Sequence, residues 1–183
     1  MRSKRLLVNL PLYRPTLHVL RVVLFVSSVV LLLQGSVGAA LIVAVFIALS
    51  FVYLLRSERQ PNLFDVLFAL AALMGALGYV FDLFGEIVPY DELTHGYTTF
   101  AASLAFYFLF YEDAAPRLGA VALGTSVFTL GVTAGTYWEV FEWFFVGKYP
   151  MADTIGDLLI DSLGALAAAL MALAFRRRGE RLT

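Results

Sequence analysis

The chain is 183 residues long, with 61% hydrophobic residues, 15% charged residues and a formal net charge of -1. Soluble domains are roughly 45–50% apolar, so this composition excludes an ordinary water-soluble domain. The near-neutral charge, without a polybasic block separate from a hydrophobic segment, argues against nucleic acid as a partner. Cysteine is absent, so metal ligands could come only from oxygen atoms or imidazole.

Six apolar stretches each have the length of about 17–25 residues that an α-helix needs to cross a hydrocarbon layer. In chain order they cover approximately residues 17–33, 38–55, 63–81, 93–111, 118–138 and 155–175. No convincing internal repeat is present, and the connecting loops are too short for a second domain. The sequence therefore predicts an all-α, polytopic transmembrane bundle of about six spans, with residues 1–183 in one domain.

A cleaved signal peptide is the alternative interpretation of the first stretch, because the small residues Ser36 to Ala40 follow it. The apolar run is longer than the roughly 7–15 residues of a signal-peptide core. Cleavage would also leave five spans and disturb the distribution of basic residues. We therefore interpret the first stretch as a transmembrane span.

The basic residues test the six-span arrangement independently, because Lys and Arg concentrate on the cytoplasmic side of membrane proteins. With six crossings, twelve of the 13 basic residues fall on one side: Arg2, Lys4, Arg5, Arg14, Arg21, Arg56, Arg59, Arg117, Arg176, Arg177, Arg178 and Arg181. Only Lys148 falls on the other side. We therefore expect a multi-pass protein of the cell membrane, surrounded by the lipid bilayer, with both termini in the cytoplasm.

The acidic residues concentrate on the outer side. Nine of the 14 fall there: Asp82, Glu86, Asp91, Glu92, Glu139, Glu142, Asp153, Asp157 and Asp161. Spacings of three or four residues place the members of each of three sets on one helix face: Asp91 with His95, Glu139 with Glu142, and Asp153 with Asp157 and Asp161. Below the acids, Gly131, Gly135 and Gly164 suit close helix packing. Because ionisable groups at membrane depth rarely face lipid, three helices are expected to bring these side chains to one pocket.

Other interpretations of single residues stay open. Asp91 could be the N-cap of its helix, and Asp153 or Asp157 could favour the positive N-terminus of the last helix. Contact with lipid headgroups or water could account for Glu139 and Glu142. Neither interpretation explains Asp161, which lies deeper.

Three blocks at these positions resemble the VanZ-like membrane proteins and, more closely, the YjdF-type family. They are Asp91 to His95, Glu139 to Glu142, and Asp153 to Gly164. The resemblance implies a shared site that contains an Asp-x-x-x-His pair, a Glu, and an Asp-led helix that reaches a Gly. The chain departs from the VanZ-like pattern at Glu92, Glu142 and Asp161, where Lys, Gln and Asn respectively are usual, and each departure makes the site more negative.

The predicted site contains up to seven carboxylate or imidazole ligands: Asp91, His95, Glu139, Glu142, Asp153, Asp157 and Asp161. So many acids in a partly desolvated site cannot all remain ionised and unpaired, so they share protons or bind a cation. Oxygen ligands with one imidazole suit Mg²⁺, Mn²⁺ or Ca²⁺, and Zn²⁺ if fewer ligands engage.

Three function classes are compatible with such a site. One is a metal-assisted hydrolase or transferase acting on a lipid-linked or envelope substrate. Another is a cation or proton-coupled transporter, although few polar groups, Ser103 and Thr125 among them, continue toward the cytoplasm. The third is a non-catalytic membrane protein with a structural cation site.

The first prediction concerns orientation. Both termini and the loop of residues 56–62 should be cytoplasmic, whereas residues 82–92 and 147–154 should face outward, because of the distribution of basic residues. Fusions of a reporter enzyme that is active only outside the cytoplasm would measure this. An externally reactive C-terminus would overturn the orientation and move the acidic residues to the cytoplasmic side.

Overall fold

A computed structural model of the protein describes residues 13–51, 63–86, 89–111, 114–145 and 150–180. In these ranges every regular element is helical, which confirms the all-α fold. The elements are α1 (Tyr13–Leu33), α2 (Val37–Leu49), α3 (Leu63–Phe81), α4 (Leu83–Glu86), α5 (Tyr90–Phe106), α6 (Ala120–Phe145) and α7 (Met151–Glu180). A π-helical turn, Tyr107–Tyr111, directly continues α5.

Four helices are long and apolar enough to cross a membrane, over Tyr13–Leu33, Leu63–Phe81, Ala120–Phe144 and Met151–Arg177. The protein is thus a polytopic helical membrane protein. The count of six spans stays a prediction, since α2 has only 13 residues and residues 52–55 of the predicted second span lie outside the described part of the chain. The predicted fourth span, 93–111, lies within the continuous helix that α5 and the π-helical turn form.

Orientation also stays a prediction. Many of the basic residues that indicate it are outside the described ranges: Arg2, Lys4, Arg5, Arg56, Arg59, Lys148 and Arg181. Two helices extend beyond the predicted spans. Helix α6 continues past residue 138 through Glu139 and Glu142, and α7 begins at Met151, four residues before the predicted sixth span. These extra turns carry polar residues, which a search for apolar stretches leaves out.

The helices form two groups around separate apolar cores. Leucines of α1 pack with small residues of α2 and α3, as Leu24 and Leu31 do with Ala40 and Ala76. The second group consists of α5, α6 and α7, whose shared core includes Leu104, Val127 and Ala168, among other residues. Helix α3 contacts members of both groups, so it joins them into one bundle.

Glycine allows α5 and α7 to approach closely. A Cβ atom added at Gly164 of α7 would collide with the backbone carbonyl oxygen of Gly96 on α5. Backbone atoms cannot move aside as a side-chain end can, so this crossing requires a residue without a Cβ. This contact sets the position of α5 along α7, and with it which acidic residues of the two helices lie side by side.

The second prediction tests this crossing. Gly164→Ala should lower the free energy of unfolding by about 1–3 kcal/mol, the usual cost of overpacking, as measured by chemical denaturation of the purified protein in detergent. Gly156→Ala on the same helix is the matched control, because its Cβ would meet no atom within 4 Å. The control should lose no stability, and equal losses in both variants would contradict the close crossing.

Candidate metal centre

Three helices each contribute two side chains to a cluster of carboxylates around one histidine. In α5, Asp91 and His95 are one helical turn apart, and in α7 Asp157 and Asp161 are related in the same way. Helix α6 contributes Glu139 from near its C-terminus, together with Glu142 three residues later. Because α5, α6 and α7 pack against one another, these faces meet inside the bundle.

His95 lies at the centre of this group. Its Nδ1 atom is 3.5 Å from Glu139 Oε1 and 3.6 Å from Asp161 Oδ1. On the other edge of the ring, Nε2 is 3.7 Å from Asp91 Oδ1 and 3.9 Å from Glu142 Oε2. All four distances exceed the 2.7–3.2 Å of normal N–H···O hydrogen bonds. The carboxylates therefore surround the imidazole without bonding to it directly.

Two overlapping triads have a spacing that suits metal ligands. In one, Asp91, His95 and Asp157 each offer one atom, and these atoms lie within 4.8 Å of one another. His95, Glu139 and Glu142 form the other triad under the same limit. Ligand atoms that contact one ion at about 2.0–2.4 Å can be at most about 4.8 Å apart. Either triad could thus contact a single cation.

Burial increases from the outer edge of the cluster inward. The Asp91 and Glu142 side chains are 31% and 15% exposed, so the cluster is open on this side. The remaining members are more deeply buried, with exposures of 7% for His95, 6% for Glu139, 5% for Asp157 and 2% for Asp161. A ligand would enter from the side of Asp91.

Few hydrogen bonds satisfy the buried carboxylates. Thr99 donates one to Asp161 Oδ1 at 2.6 Å, and Tyr79 donates a longer one to Glu142 Oε1 at 3.4 Å. Glu139 Oε1 and Asp161 Oδ2 are buried without any hydrogen-bond partner. Leaving a buried polar atom unpaired costs about 1–3 kcal/mol, and more if the group is charged. These two oxygen atoms therefore point to a missing partner.

Basic side chains are scarce in this part of the sequence. There is no Lys or Arg from residue 60 to residue 116, and Lys148 is the only one from residue 118 to residue 175. Lys148 lies outside the described ranges. Among the described residues of α5, α6 and the N-terminal half of α7, His95 is thus the only side chain that can carry a positive charge near the acids.

Two glycines of α6 make room for the deepest members. A Cβ at Gly135 would overlap the Asp161 carboxylate, and one at Gly131 would overlap the Ser103 hydroxyl and the Ala165 side chain. The small residues that the sequence analysis noted below the acids therefore lie against α5 and α7. They allow Asp161 to reach the centre of the bundle.

The structure brings together six of the seven residues singled out from the sequence: Asp91, His95, Glu139, Glu142, Asp157 and Asp161. Asp153 is exposed in the first turn of α7 and belongs to neither triad. The N-cap of α5 is Pro89, so Asp91 is not its N-cap.

Tyr79 and Thr99 also belong to the site, although the sequence alone did not single them out. Thr99 could have been found, since it lies four residues after His95 on the same helical face. Tyr79 offered no comparable signal, because it reaches Glu142 from a different helix.

The third prediction concerns Thr99. Thr99→Val should lower the free energy of unfolding by about 1–3 kcal/mol, because it leaves a second buried oxygen of Asp161 unpaired. Thr136→Val is the control, since the Thr136 hydroxyl is exposed and bonds only to the Val132 carbonyl of its own helix. Thermal or chemical unfolding in detergent would compare the two variants. Indistinguishable stabilities would contradict the role assigned to the Thr99 bond.

A family model described as "Predicted membrane protein (DUF2238)" matches residues 14–178. A search of curated proteins found no match, and a search of solved structures found none either. The matched region includes all members of the cluster and nearly the entire described bundle. The chain therefore belongs to the DUF2238 family of predicted membrane proteins.

Proposed function

We propose that the His95 cluster binds a divalent cation, with which the protein acts as a hydrolase or transferase on a lipid-linked or envelope substrate. One observation carries the proposal. Glu139 Oε1 and Asp161 Oδ2 are buried without a hydrogen-bond partner beside a single imidazole, in a stretch of sequence almost without Lys or Arg. A cation held by the triad of His95, Glu139 and Glu142 would contact Glu139 and would offset the negative charge of the neighbouring Asp161.

The types of ligand narrow the choice of cation. The cluster contains five carboxylates and one imidazole: Asp91, Glu139, Glu142, Asp157, Asp161 and His95. Oxygen-rich sites favour Mg²⁺, Mn²⁺ and Ca²⁺, while Zn²⁺ would use fewer ligands. Similar blocks in VanZ-like and YjdF-type proteins would then form a related site, with a less negative ligand set where Gln and Asn occur.

The arrangement also suits chemistry on a bound substrate. A divalent cation polarises phosphoryl or carbonyl oxygen atoms and lowers the pKa of a bound water molecule. Asp91 and Glu142, the more exposed members, lie where a substrate would arrive. A carboxylate not engaged by the cation could accept a proton there as a general base. These elements would supply a Lewis acid and a general base for hydrolysis or group transfer at the outer membrane surface.

Cation or proton-coupled transport is the second candidate, and one observation favours it. Along α5 and the π-helical turn, polar residues recur every fourth position inward from His95, at Thr99, Ser103 and Tyr107. All of them are buried, and the Ser103 hydroxyl has no hydrogen-bond partner. This line of hydroxyl groups leads from the cluster toward the predicted cytoplasmic side. Ion flux in proteoliposomes would distinguish transport from catalysis.

The fourth prediction concerns metal binding. A chelator should lower the melting temperature of the purified protein, and adding Mg²⁺, Mn²⁺, Ca²⁺ or Zn²⁺ should restore it. A ligand that binds only the folded state stabilises it by about 2.7 kcal/mol at 100 times its Kd. His95→Ala and Asp157→Ala should both lose metal, as measured by elemental analysis, and should no longer respond to the chelator.

Glu92→Ala is the matched control, because Glu92 is exposed in the same helical turn as Asp91 and lies outside both triads. It should retain both the metal and the response to the chelator. The competing explanation is that the carboxylates share protons. In that case chelation would leave the melting temperature unchanged and no bound metal would be found, which would refute the proposed site.

A further inference from the structure

A groove of about 580 Å³ lies between α5 and α7, within the size range of ligand pockets. Its lining residues come from these two helices and from Pro89, and none comes from α6. Gly96 and Gly164, which are in close contact where the two helices meet, are among the residues that line the groove. Leu93 and Leu163 on its walls are both 60% exposed, which indicates that the groove opens laterally toward lipid.

One end of the groove is charged rather than apolar. Glu92 lines it and is exposed, whereas the preceding residue, Asp91, belongs to the cluster. The groove and the candidate metal centre therefore share the first turn of α5. A molecule with its chain in the groove would have its polar end beside Glu92 and within reach of the exposed edge of the cluster.

Charge limits the kind of polar end that fits. Glu92 is an exposed carboxylate, and no Lys or Arg occurs from residue 60 to residue 116 to offset it. A headgroup with a net negative charge would be repelled at this rim, whereas an ammonium group would be attracted. A phosphate beside the ammonium could still approach a cation bound in the cluster.

We propose that the groove binds the acyl chain of a phospholipid whose headgroup carries an ammonium group, and that such lipids are the substrate class of the site. This inference rests on the proposed function, because it names what that site acts on. The chain lies against Leu93, Phe100 and Leu163, and the ammonium group lies beside Glu92. The phosphate then lies toward Asp91, where the cluster is open.

The test uses the full-length protein in phosphatidylglycerol vesicles that contain a small share of a photoactivatable lipid. The probe is phosphatidylethanolamine with a diazirine in its acyl chain, and phosphatidylglycerol with the same chain is the comparison. Cross-links should map to residues 93–100 and 160–167. Phosphatidylethanolamine should label them about fivefold more strongly, the ratio that a surface ion pair of about 1 kcal/mol produces.

Two variants and one control separate the contribution of the acyl chain from that of the headgroup. Ala167→Phe adds a ring at an exposed position that lines the groove and should lower labelling by both probes. Leu166→Phe changes the neighbouring exposed residue, which does not line the groove, and should leave labelling unchanged. Glu92→Gln should remove the preference for phosphatidylethanolamine while chain labelling persists.

Equal labelling by both probes in the unaltered protein would overturn the proposal, and so would labelling that Ala167→Phe leaves unchanged. Metal content is measured on the same samples. If the unaltered protein binds no metal but is labelled by the probes as expected, the groove remains a lipid-binding site. The proposed function and the assignment of these lipids as its substrates are then both refuted. If metal is bound without selective labelling, the proposed function stands and the lipid inference falls.

Discussion

The negative charge around His95 is the main constraint on the part of the bundle where α5, α6 and α7 meet. Five carboxylates lie around one imidazole, which can contribute at most one positive charge. Removing such groups from water is costly unless they are paired or bound to a cation. The packing of the bundle itself creates this cost. Because Gly135 and Gly164 have no Cβ, α7 lies close to α6 and α5, and its residues Asp157 and Asp161 are buried between the helices.

Arg21 is a buried charged residue in the same protein whose side chain does have hydrogen-bond partners. Arg21 of α1 donates hydrogen bonds to the hydroxyl oxygen of Ser50 at 2.8 Å and to its carbonyl oxygen at 2.5 Å, and its guanidinium lies 3.6 Å from the Phe51 ring centre. This residue fastens α1 to the end of α2. Glu139 and Asp161 each keep a buried oxygen without such a partner. The difference between the two sites supports an external ligand for the acidic cluster.

The sequence predicts those features that depend on helical periodicity alone. Spacings of three and four residues were enough to place Asp91 with His95 and Glu139 with Glu142, and the apolar stretches were enough to predict a helical membrane protein. The sequence could not show that Asp153 is exposed and belongs to neither triad, because a spacing of four residues does not indicate where a helix face leaves the bundle. The bond from Tyr79 to Glu142 was equally hidden, since it depends on how α3 and α6 are rotated against each other.

Catalysis and transport place opposite demands on the inner side of the cluster. The line of hydroxyl groups along α5 continues through the π-helical turn to Tyr111, which borders an open surface pocket of about 510 Å³ with Thr125, Ser126 and Thr129. Between this pocket and the cluster, however, Ser103 is fully buried, and Gly131 packs so closely against it that even a Cβ would not fit. Transport would therefore require α6 to separate from α5 at this level. The proposed catalysis requires only the opening that already exists beside Asp91, so this packing is easier to reconcile with the proposed enzyme than with transport.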